Sequence, residues 1–407
     1  MAEPYNEREI LESLTFGVEF EFLVDARVAL GEDDEFSQRV LENRHLDPPG
    51  VARTVAPVVK MYLERLGLSC PVSVSNKIMY GTYENDVERD EDERQYRHWI
   101  VKGIEVVSPV LPNTQDALDE VAKVAEALRD GDGDLGACVS FNQNCAFQVH
   151  VGRRSNLDFP LPVLQKLTSL LWMGAEELLD LVHPKFRIGG HWCKSLRADC
   201  SLARKLERDG NNGYDDDDAG TEEEEDWVDH CRGARDDGDG DNDERAALAS
   251  PTDVAALRAI WQAQTTSELF ALVGNGAESM AYDFIYLVTE PSSRPQDKGF
   301  KRTIEFREAD GDLRNAGGDI ICDPGYAAAW AAVATALVAF SARADKAELG
   351  RVIRETGASL RELEEKQREG IFAAAACRGE IVGRFLDSIG APLEAADVMS
   401  ARAVTSR

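Results

Sequence analysis

Three short apolar segments of this chain carry polar side chains at alternate positions. They are Phe16–Leu23, Ala146–Val151 and Arg302–Arg307. Because residues i and i+2 of a β-strand point to the same face, each segment would bring two polar side chains together: Glu19 with Glu21, Gln148 with His150, and Glu305 with Arg307. Carboxylates on otherwise hydrophobic strands are costly to desolvate unless cations accompany them. A sheet face that gathers Glu, His and Arg therefore suggests a metal and phosphate site.

Each pair also has a purely structural interpretation, which the sequence leaves open. The first pair would be solvated if its strand lay at the edge of the sheet. His150 would serve as a hydrogen-bonded core residue, and the third pair would form only a salt bridge along one strand. Glu105, a carboxylate on a further apolar segment, would pair with Lys102 or Arg97.

The composition allows a sizeable core and points away from nucleic acid. Of the 407 residues 43% are hydrophobic, and the formal net charge is −30 at pH 7. Phosphate backbones are bound by basic surfaces, so this charge argues against a nucleic-acid partner. The excess is local, because residues 206–245 carry a net charge of −14 and residues 84–94 one of −5. An anionic substrate such as a nucleotide is compatible with the rest of the chain.

The acidic tract from residue 207 to residue 248 predicts disorder. It contains the runs Tyr214–Asp218, Glu222–Asp226 and Asp236–Glu244. Like charges repel, and little apolar area is available to offset the entropy of ordering. We therefore expect a disordered insertion within a folded domain.

Several sequence features bear on location. The segment Met1–Pro4 lacks the basic and apolar character of a signal peptide. No uninterrupted apolar run approaches the ~20 residues of a membrane span. The eight cysteines are scattered and form no Cys-x-x-Cys pair, which argues against a disulfide framework. These features predict a soluble cytoplasmic protein with no membrane partner.

The hydrophobic periodicity predicts strands scattered among helices. Strands are expected at 15–24, 71–76, 98–108, 146–152, 282–288 and 302–308. Helices are expected at 51–67, 115–129, 160–182, 252–273, 325–343 and 346–369. This pattern is typical of an α+β fold.

The segment Phe16–Phe22 resembles the opening strand of the glutamine synthetase and glutamate–cysteine ligase fold, and in particular that of the amidoligase family found widely in fungi. The resemblance continues in order through Gly103–Pro109, Gln148–Gly152, His183-Pro184 and Thr303–Arg307. It covers about residues 14 to 342. It implies a curved, mainly antiparallel sheet with flanking helices.

The resemblance also implies a division of the chain. We expect a catalytic domain over residues 14–345, which would contain the acidic insertion. A helical extension would follow over residues 346–407. The charged helices of this extension are compatible with packing against a second copy of the chain, so a homo-oligomer is one alternative.

The resemblance implies an ATP- and magnesium-dependent ligase that joins a carboxylate to an amine through an acyl phosphate. Such chemistry moves phosphoryl charge through a transition state that divalent cations and basic side chains stabilise. Hard cations prefer carboxylate oxygens. By resemblance, Glu21 and Glu105 bind one metal ion. Glu19 and Glu305 bind a second, which bridges the nucleotide phosphates.

The remaining polar residues receive roles in the same way. Arg307 would steady a phosphate or a substrate carboxylate through its paired donors. The expected catalytic set is Glu305, Arg307 and His150, and the expected nucleotide-binding set is Arg307 and Gln148. The substrates would be small-molecule or peptide carboxylates and amines. The sequence has no Gly-x4-Gly-Lys-Ser/Thr loop for a P-loop nucleotide site and no His-Glu-x-x-His helix for a metallohydrolase.

Two departures from the family pattern bear on activity. Family members usually have His-x-His-x-Gly with the first His in the metal shell, whereas this chain has Gln148 there and keeps only His150. A glutamine oxygen is a neutral and weaker ligand. Lys102 also runs directly into Gly103, where relatives commonly carry an Asp-containing stretch. These departures favour the alternative of a non-catalytic binding or regulatory protein that keeps the fold.

Overall fold

The computed structural model describes most of the chain. The described residues are 5–25, 101–130, 139–140, 145–190, 192–209, 250–275, 280–288, 302–309 and 325–405, with short pieces between 56 and 74. Two predictions lie largely or wholly outside them. The acidic insertion is described only at residues 207–209, which end a helix, and the second acidic run at 84–94 is not described.

The described strands form one antiparallel sheet. They are β1 (Leu14–Asp25), β2 (Val72–Val74), β3 (Val101–Val107), β4 (Leu111–Pro112), β5 (Val139–Ser140), β6 (Phe147–Arg153), β7 (Tyr282–Asp283) and β8 (Thr303–Phe306). Six of them follow one another in the order β2-β3-β1-β6-β8-β7, while β4 and β5 pair with β1. β1 is therefore an interior strand with a neighbour on each side.

Thirteen α-helices lie in the described part of the chain. They are α1 (Glu7–Ser13), α2 (Gln115–Asp130), α3 (Leu161–Leu170), α4 (Glu176–Leu179), α5 (Leu196–Asp199), α6 (Ser201–Asp209), α7 (Pro251–Gln262), α8 (Thr266–Val273), α9 (Ile285–Val288), α10 (Gly325–Arg343), α11 (Lys346–Glu369), α12 (Ile371–Ser388) and α13 (Leu393–Thr405). The α+β expectation is confirmed. The curvature of the sheet and its relation to glutamine synthetase stay predictions.

Three predicted elements are wrong in detail, and the third, the helix expected at 160–182, is described with the larger unit below. The strand expected at 282–288 ends at Asp283. The Asp283 carboxylate accepts a hydrogen bond from the Ile285 N–H at 2.8 Å, and this bond stabilises the start of α9. The helix expected at 252–273 is two helices, since the Thr265 hydroxyl accepts from the Glu268 N–H at 3.1 Å and starts α8 as a new N-cap.

The chain divides into two compact units, each of which is described by itself. The smaller unit comprises Phe16–Val149 and Glu308–Ala331. The larger unit comprises Met1–Thr15, His150–Arg307 and Ala332–Arg407. The domain boundary expected at residue 345 stays a prediction.

Alternation along β1 builds the core of the smaller unit. Phe20 and Phe22 lie opposite Val106 and Ile104 of β3, and all four side chains are buried. The Phe20 ring also packs on Phe147 of β6, with 4.8 Å between ring centroids. Because this face is filled by large apolar groups, the register of β1 is fixed, and its alternate residues must point to the opposite face.

In the larger unit, a π-helical turn interrupts the helix predicted at 160–182. Residues Leu171–Ala175 form this turn between α3 and α4, and Gly174 adopts a left-handed φ of +116°. A Cβ at residue 174 would lie 2.8 Å from Leu360 and 3.2 Å from Thr356 of α11. Glycine therefore allows both the backbone turn and the close approach of α11.

The buried carboxylate of Glu176 follows this turn and holds the start of α5. It is only 2% exposed. It accepts from the backbone N–H groups of Leu196 at 2.7 Å and Arg197 at 3.2 Å, and from the Ser195 hydroxyl at 3.1 Å. Burial raises the Glu176 pKa, and these three donors oppose the rise.

Residues far apart in sequence also meet in the larger unit. The Tyr5 hydroxyl donates to the Ala342 carbonyl at 2.9 Å. The ammonium of Lys166, which is buried, donates to Tyr5 at 2.8 Å and to the Ala344 carbonyl at 2.6 Å. Burial lowers the pKa of this lysine. Together these bonds tie the segment before α1 to the end of α10.

One described helix, α10, is long and apolar enough to span a membrane. Its mean hydropathy is 1.5, but 83% of the apolar window is buried inside the protein. The core helix of a soluble protein has this same character, so α10 is consistent with a soluble protein. A cytoplasmic location stays a prediction.

Asp180, just after α4, should make stability depend on pH. Burial raises its pKa to about 7, and the charges of Glu176 and Glu177 add to the rise. The folded state therefore binds a proton more tightly than the unfolded state, so stability falls as pH rises from about 4 to about 7. We expect Asp180→Asn to match the wild type near pH 4 and to gain on the order of 2 kcal/mol at pH 8.

Thermal melts at the two pH values measure this difference. Asp397→Asn, at an exposed position of α13, is the matched control and should show no pH-dependent gain. An equal gain for Asp180→Asn at pH 4 and pH 8 would show that the effect is not one of ionisation.

Candidate active site

The polar face of β1 presents buried carboxylates. Glu19 is 8% exposed and Glu21 is 9% exposed, so neither lies on a solvated edge strand. Glu21 is directly opposite Glu105 of β3 in the antiparallel register. Directly opposed residues point to the same face, where like charges destabilise a sheet. This pairing is favourable when a cation lies between the two carboxylates.

Gln148 of β6 contacts the same carboxylate. Its amide Nε2 donates to Glu21 Oε1 at 3.2 Å, and its side chain is buried. This hydrogen bond offsets part of the charge of Glu21. An amide carries both donors and an acceptor, so rotation of the amide group would instead present its oxygen to a cation.

The larger unit holds the second group of predicted residues. The Arg307 guanidinium is hydrogen-bonded to Glu305. The His150 Nε2 lies 3.9 Å from the same carboxylate, while its Nδ1 lies 3.3 Å from the Thr303 hydroxyl. The structural expectation of a salt bridge along β8 is thus met, and the bridge also reaches a histidine. The carboxylate of Glu305 thus holds the Arg307 guanidinium in place, and a guanidinium is the group in this cluster that suits an anionic substrate.

Asp283 joins this group, although the sequence did not indicate it. It lies opposite Glu305 in the pairing of β7 with β8. Burial raises its pKa to about 6. The Ile285 N–H opposes the rise, Glu305 adds to it, and Arg307 and His150 also oppose it. Tyr286, the second residue of α9, meets the His150 ring edge-on at 5.7 Å between centroids.

A loop after α4 fixes Arg307 from its other side. The Arg307 Nε donates to the Trp192 carbonyl at 3.2 Å. The Arg187 Nη2 donates to the Arg307 carbonyl at 2.7 Å. The loop begins at His183-Pro184, so this segment of the resemblance is bonded to Arg307, one of the candidate site residues.

The carboxylates of the candidate site are of the ligand type that magnesium prefers. Within the described ranges, no three His, Cys, Asp or Glu side chains form a ready metal cluster. Magnesium, however, is commonly held by one or two carboxylates, with water and substrate phosphates completing its shell. Glu21 and Glu105 provide such a pair, so the residues fit this ion. Glu19 with Glu305 as ligands of a second ion stays a prediction.

A comparison with protein families gives the chain its assignment. The model of a family described as "Putative amidoligase enzyme" matches residues 12–217, just over half of the chain. The chain belongs to the amidoligase family. A search of curated proteins and a search of solved structures returned no match for this amidoligase.

The matched range divides the candidate residues of the amidoligase. Glu19, Glu21, Glu105 and the Gln148–His150 strand lie within it, as does the loop from His183 to Trp192. The strand that carries Glu305 and Arg307 lies beyond residue 217. It is connected to the matched part by the hydrogen bond between Thr303 and His150 and by the bonds of Arg307 to the loop. Family membership supports an amide-forming ligase in general. The nucleotide, the metal and the substrates belong to proposal.

Proposed function

We propose that this protein is an ATP- and magnesium-dependent ligase that forms an amide from a carboxylate and an amine. The observation that carries the proposal is the position of Glu21 on β1, which is buried, directly opposite Glu105 on β3 in an amidoligase-family chain. Opposed carboxylates are unfavourable alone and favourable with a cation. The relation to the glutamine synthetase fold is part of this proposal.

Glu21 and Glu105 would hold magnesium, with Gln148 beside them. When bound, magnesium supplies positive charge that offsets the phosphate oxygens of ATP during phosphoryl transfer. Gln148 would offset part of the negative charge of Glu21 through the hydrogen bond that its amide Nε2 donates to this carboxylate. Buried Glu19 keeps a further oxygen ligand on the same face of β1.

The residues of the larger unit would act on the substrate. Glu305 orients Arg307, whose paired donors suit a phosphate or a carboxylate. The acid substrate would be phosphorylated on its carboxylate, and the amine would then displace phosphate from this acyl phosphate. His150 lies next to Glu305 and would accept or hold a proton as the amine attacks.

Glu21→Gln is expected to abolish the stabilisation of the protein by magnesium and ATP. Binding to the native state stabilises by mass action, by about 2.7 kcal/mol at a ligand concentration of 100 Kd. The wild type should therefore melt several degrees higher with magnesium and ATP. Glu21→Gln should lose this gain and yet be at least as stable without metal, because it relieves the repulsion with Glu105. Thermal shift with and without magnesium measures both.

Glu12→Gln, on the exposed face of α1, is the control and should keep the full response. Equal responses of wild type and Glu21→Gln would refute the metal assignment. Turnover is measured separately with hydroxylamine as the amine, which traps an acyl phosphate as a hydroxamate, across a panel of carboxylic acids.

A second candidate function is a non-catalytic binding protein that keeps the fold. The observation that favours it is the amide of Gln148 bonded to Glu21, at a position where the family pattern usually has histidine. Gln148→His discriminates between the two. Tighter magnesium-dependent ATP binding without hydroxamate formation supports the binding protein, whereas hydroxamate formation by the wild type supports the ligase.

A further inference from the structure

Arg187 is a buried cation without a counter-ion in the described structure. Its side chain is 3% exposed. The Nη2 group donates to the Arg307 carbonyl, but the Nε group has no hydrogen-bond partner, and no carboxylate of the described residues pairs with the guanidinium. A buried charge is costly unless it is paired and hydrogen-bonded. An anion bound at the Arg187 guanidinium would therefore offset the cost of burying this charge.

The backbone holds Arg187 in place through two consecutive tight turns. The Arg187 N–H donates to the Pro184 carbonyl at 2.9 Å, and the Arg187 carbonyl accepts from the Gly190 N–H at 3.1 Å. Gly189 lies in the second turn with a φ of +66°, which glycine adopts without strain. With both of its backbone groups bonded, residue 187 is held facing inward.

A second arginine, Arg402, lies at the start of the loop that carries Arg187. His183 is buried, and its pKa is lowered well below the usual value, by burial first and then by the charges of Arg402 and Arg187. The Arg402 Nε donates to the Val182 carbonyl at 2.8 Å. Glu305 is hydrogen-bonded to the Arg307 guanidinium, and the charge of Arg307 also opposes the rise in the Asp283 pKa.

We propose that Arg187 is an anion-binding residue, and that its ligand is an oxyanion, either a phosphate group or a carboxylate, bound beside Arg307. Guanidinium donors match the geometry of both groups. In terms of the proposed function, on which this assignment to a substrate rests, the ligand is a phosphate of ATP or the carboxylate of the acid. Arg187 then complements Arg307, whose guanidinium is already engaged by Glu305.

The experiment uses the full chain in EDTA, so that metal binding plays no part. Thermal shift is measured with potassium phosphate and with potassium acetate, each against potassium chloride at the same ionic strength. The variants are Arg187→Gln, Arg187→Lys and the control Arg351→Gln, which is on the exposed face of α11. The wild type and the control should melt several degrees higher with one of the two anions.

Arg187→Gln should lose this response and, without anion, should melt no lower than the wild type, since it removes an unpaired charge. Arg187→Lys keeps the charge without the paired donors and should bind the anion at least tenfold more weakly by calorimetry. A response to phosphate alone identifies a phosphate group, and one to acetate alone a carboxylate.

An unchanged response in Arg187→Gln, or no response of the wild type to either anion, overturns the proposal. If Arg187→Gln fails to fold, calorimetry on Arg187→Lys decides, and wild-type affinity in that variant overturns it. These outcomes are independent of hydroxamate formation, so an anion site can be confirmed even if the ligase proposal fails.

Discussion

A chain truncated after residue 345 is expected to give no soluble, cooperatively folded protein. The truncation removes α11 to α13, whose residues belong to the same compact unit as residues 150–307. The buried side chains lost from α11 alone include Leu349, Val352, Ile353 and Leu363. Burial of each such side chain contributes roughly 1.5–3 kcal/mol, while a whole domain is stable by only about 5–15 kcal/mol. Expression yield, size-exclusion profile and thermal melt measure the result.

Truncation after residue 392 is the matched control, because it removes only α13. A Cβ at Gly379 would lie 2.6 Å from Val404, so α13 packs closely on α12 and some stability should be lost. The shortened chain should nevertheless fold and melt at a lower temperature. If the 1–345 chain instead unfolded cooperatively near the wild-type temperature, residues 346–405 would be an independent extension, as the sequence-based boundary supposes.

Glu176→Ala is expected to destabilise the protein by about 3–5 kcal/mol. The substitution removes the acceptor of the buried Leu196 N–H and of the part-buried Arg197 N–H and Ser195 hydroxyl. Each unsatisfied buried donor costs about 1–3 kcal/mol. The raised pKa of Glu176 shows that its charge is itself costly, so the total falls short of three full penalties. Urea unfolding at pH 7 measures the change.

Glu177→Ala provides the control at the next position, where the side chain is exposed and lies 3.6 Å from Arg197. A surface ion pair contributes at most about 1 kcal/mol. Glu176→Gln keeps the volume but replaces one acceptor with a donor, and its loss should be intermediate. A Glu176→Ala variant within 1 kcal/mol of the wild type would mean that water satisfies the three donors.

The sequence predicted the strands of the candidate site well because their pattern is local. Alternation along 15–24 and 146–152 indicated both the core face and the polar face, and β1 and β6 follow it closely. The predicted bounds of α10 match the structure to the residue. An apolar, Ala-rich run of 19 residues is too long for a strand, so a helix is the element it indicates. These features depend on neighbours within a few positions along the chain.

The missed features depend on contacts that sequence spacing does not reveal. Arg187 is one of 45 lysines and arginines, and its burial is decided by two turns and by its bond to Arg307. Asp283 gains its neighbour Glu305 only through the register of β7 with β8. Gly174 was read as part of a continuous helix, since the need for glycine comes from α11, more than 170 residues further on.

The bonds from Tyr5 and Lys166 to the end of α10 have a consequence for synthesis on the ribosome. The hydrogen bond from the Tyr5 hydroxyl cannot form until its acceptor, the carbonyl of a residue 337 positions later, has been synthesised. At translation rates of about 5–20 residues per second, this delay is on the order of tens of seconds. Contacts of such long range also slow folding itself. The full set of these bonds therefore cannot form until residue 344 has been synthesised, so the larger unit completes its native structure only near the end of translation.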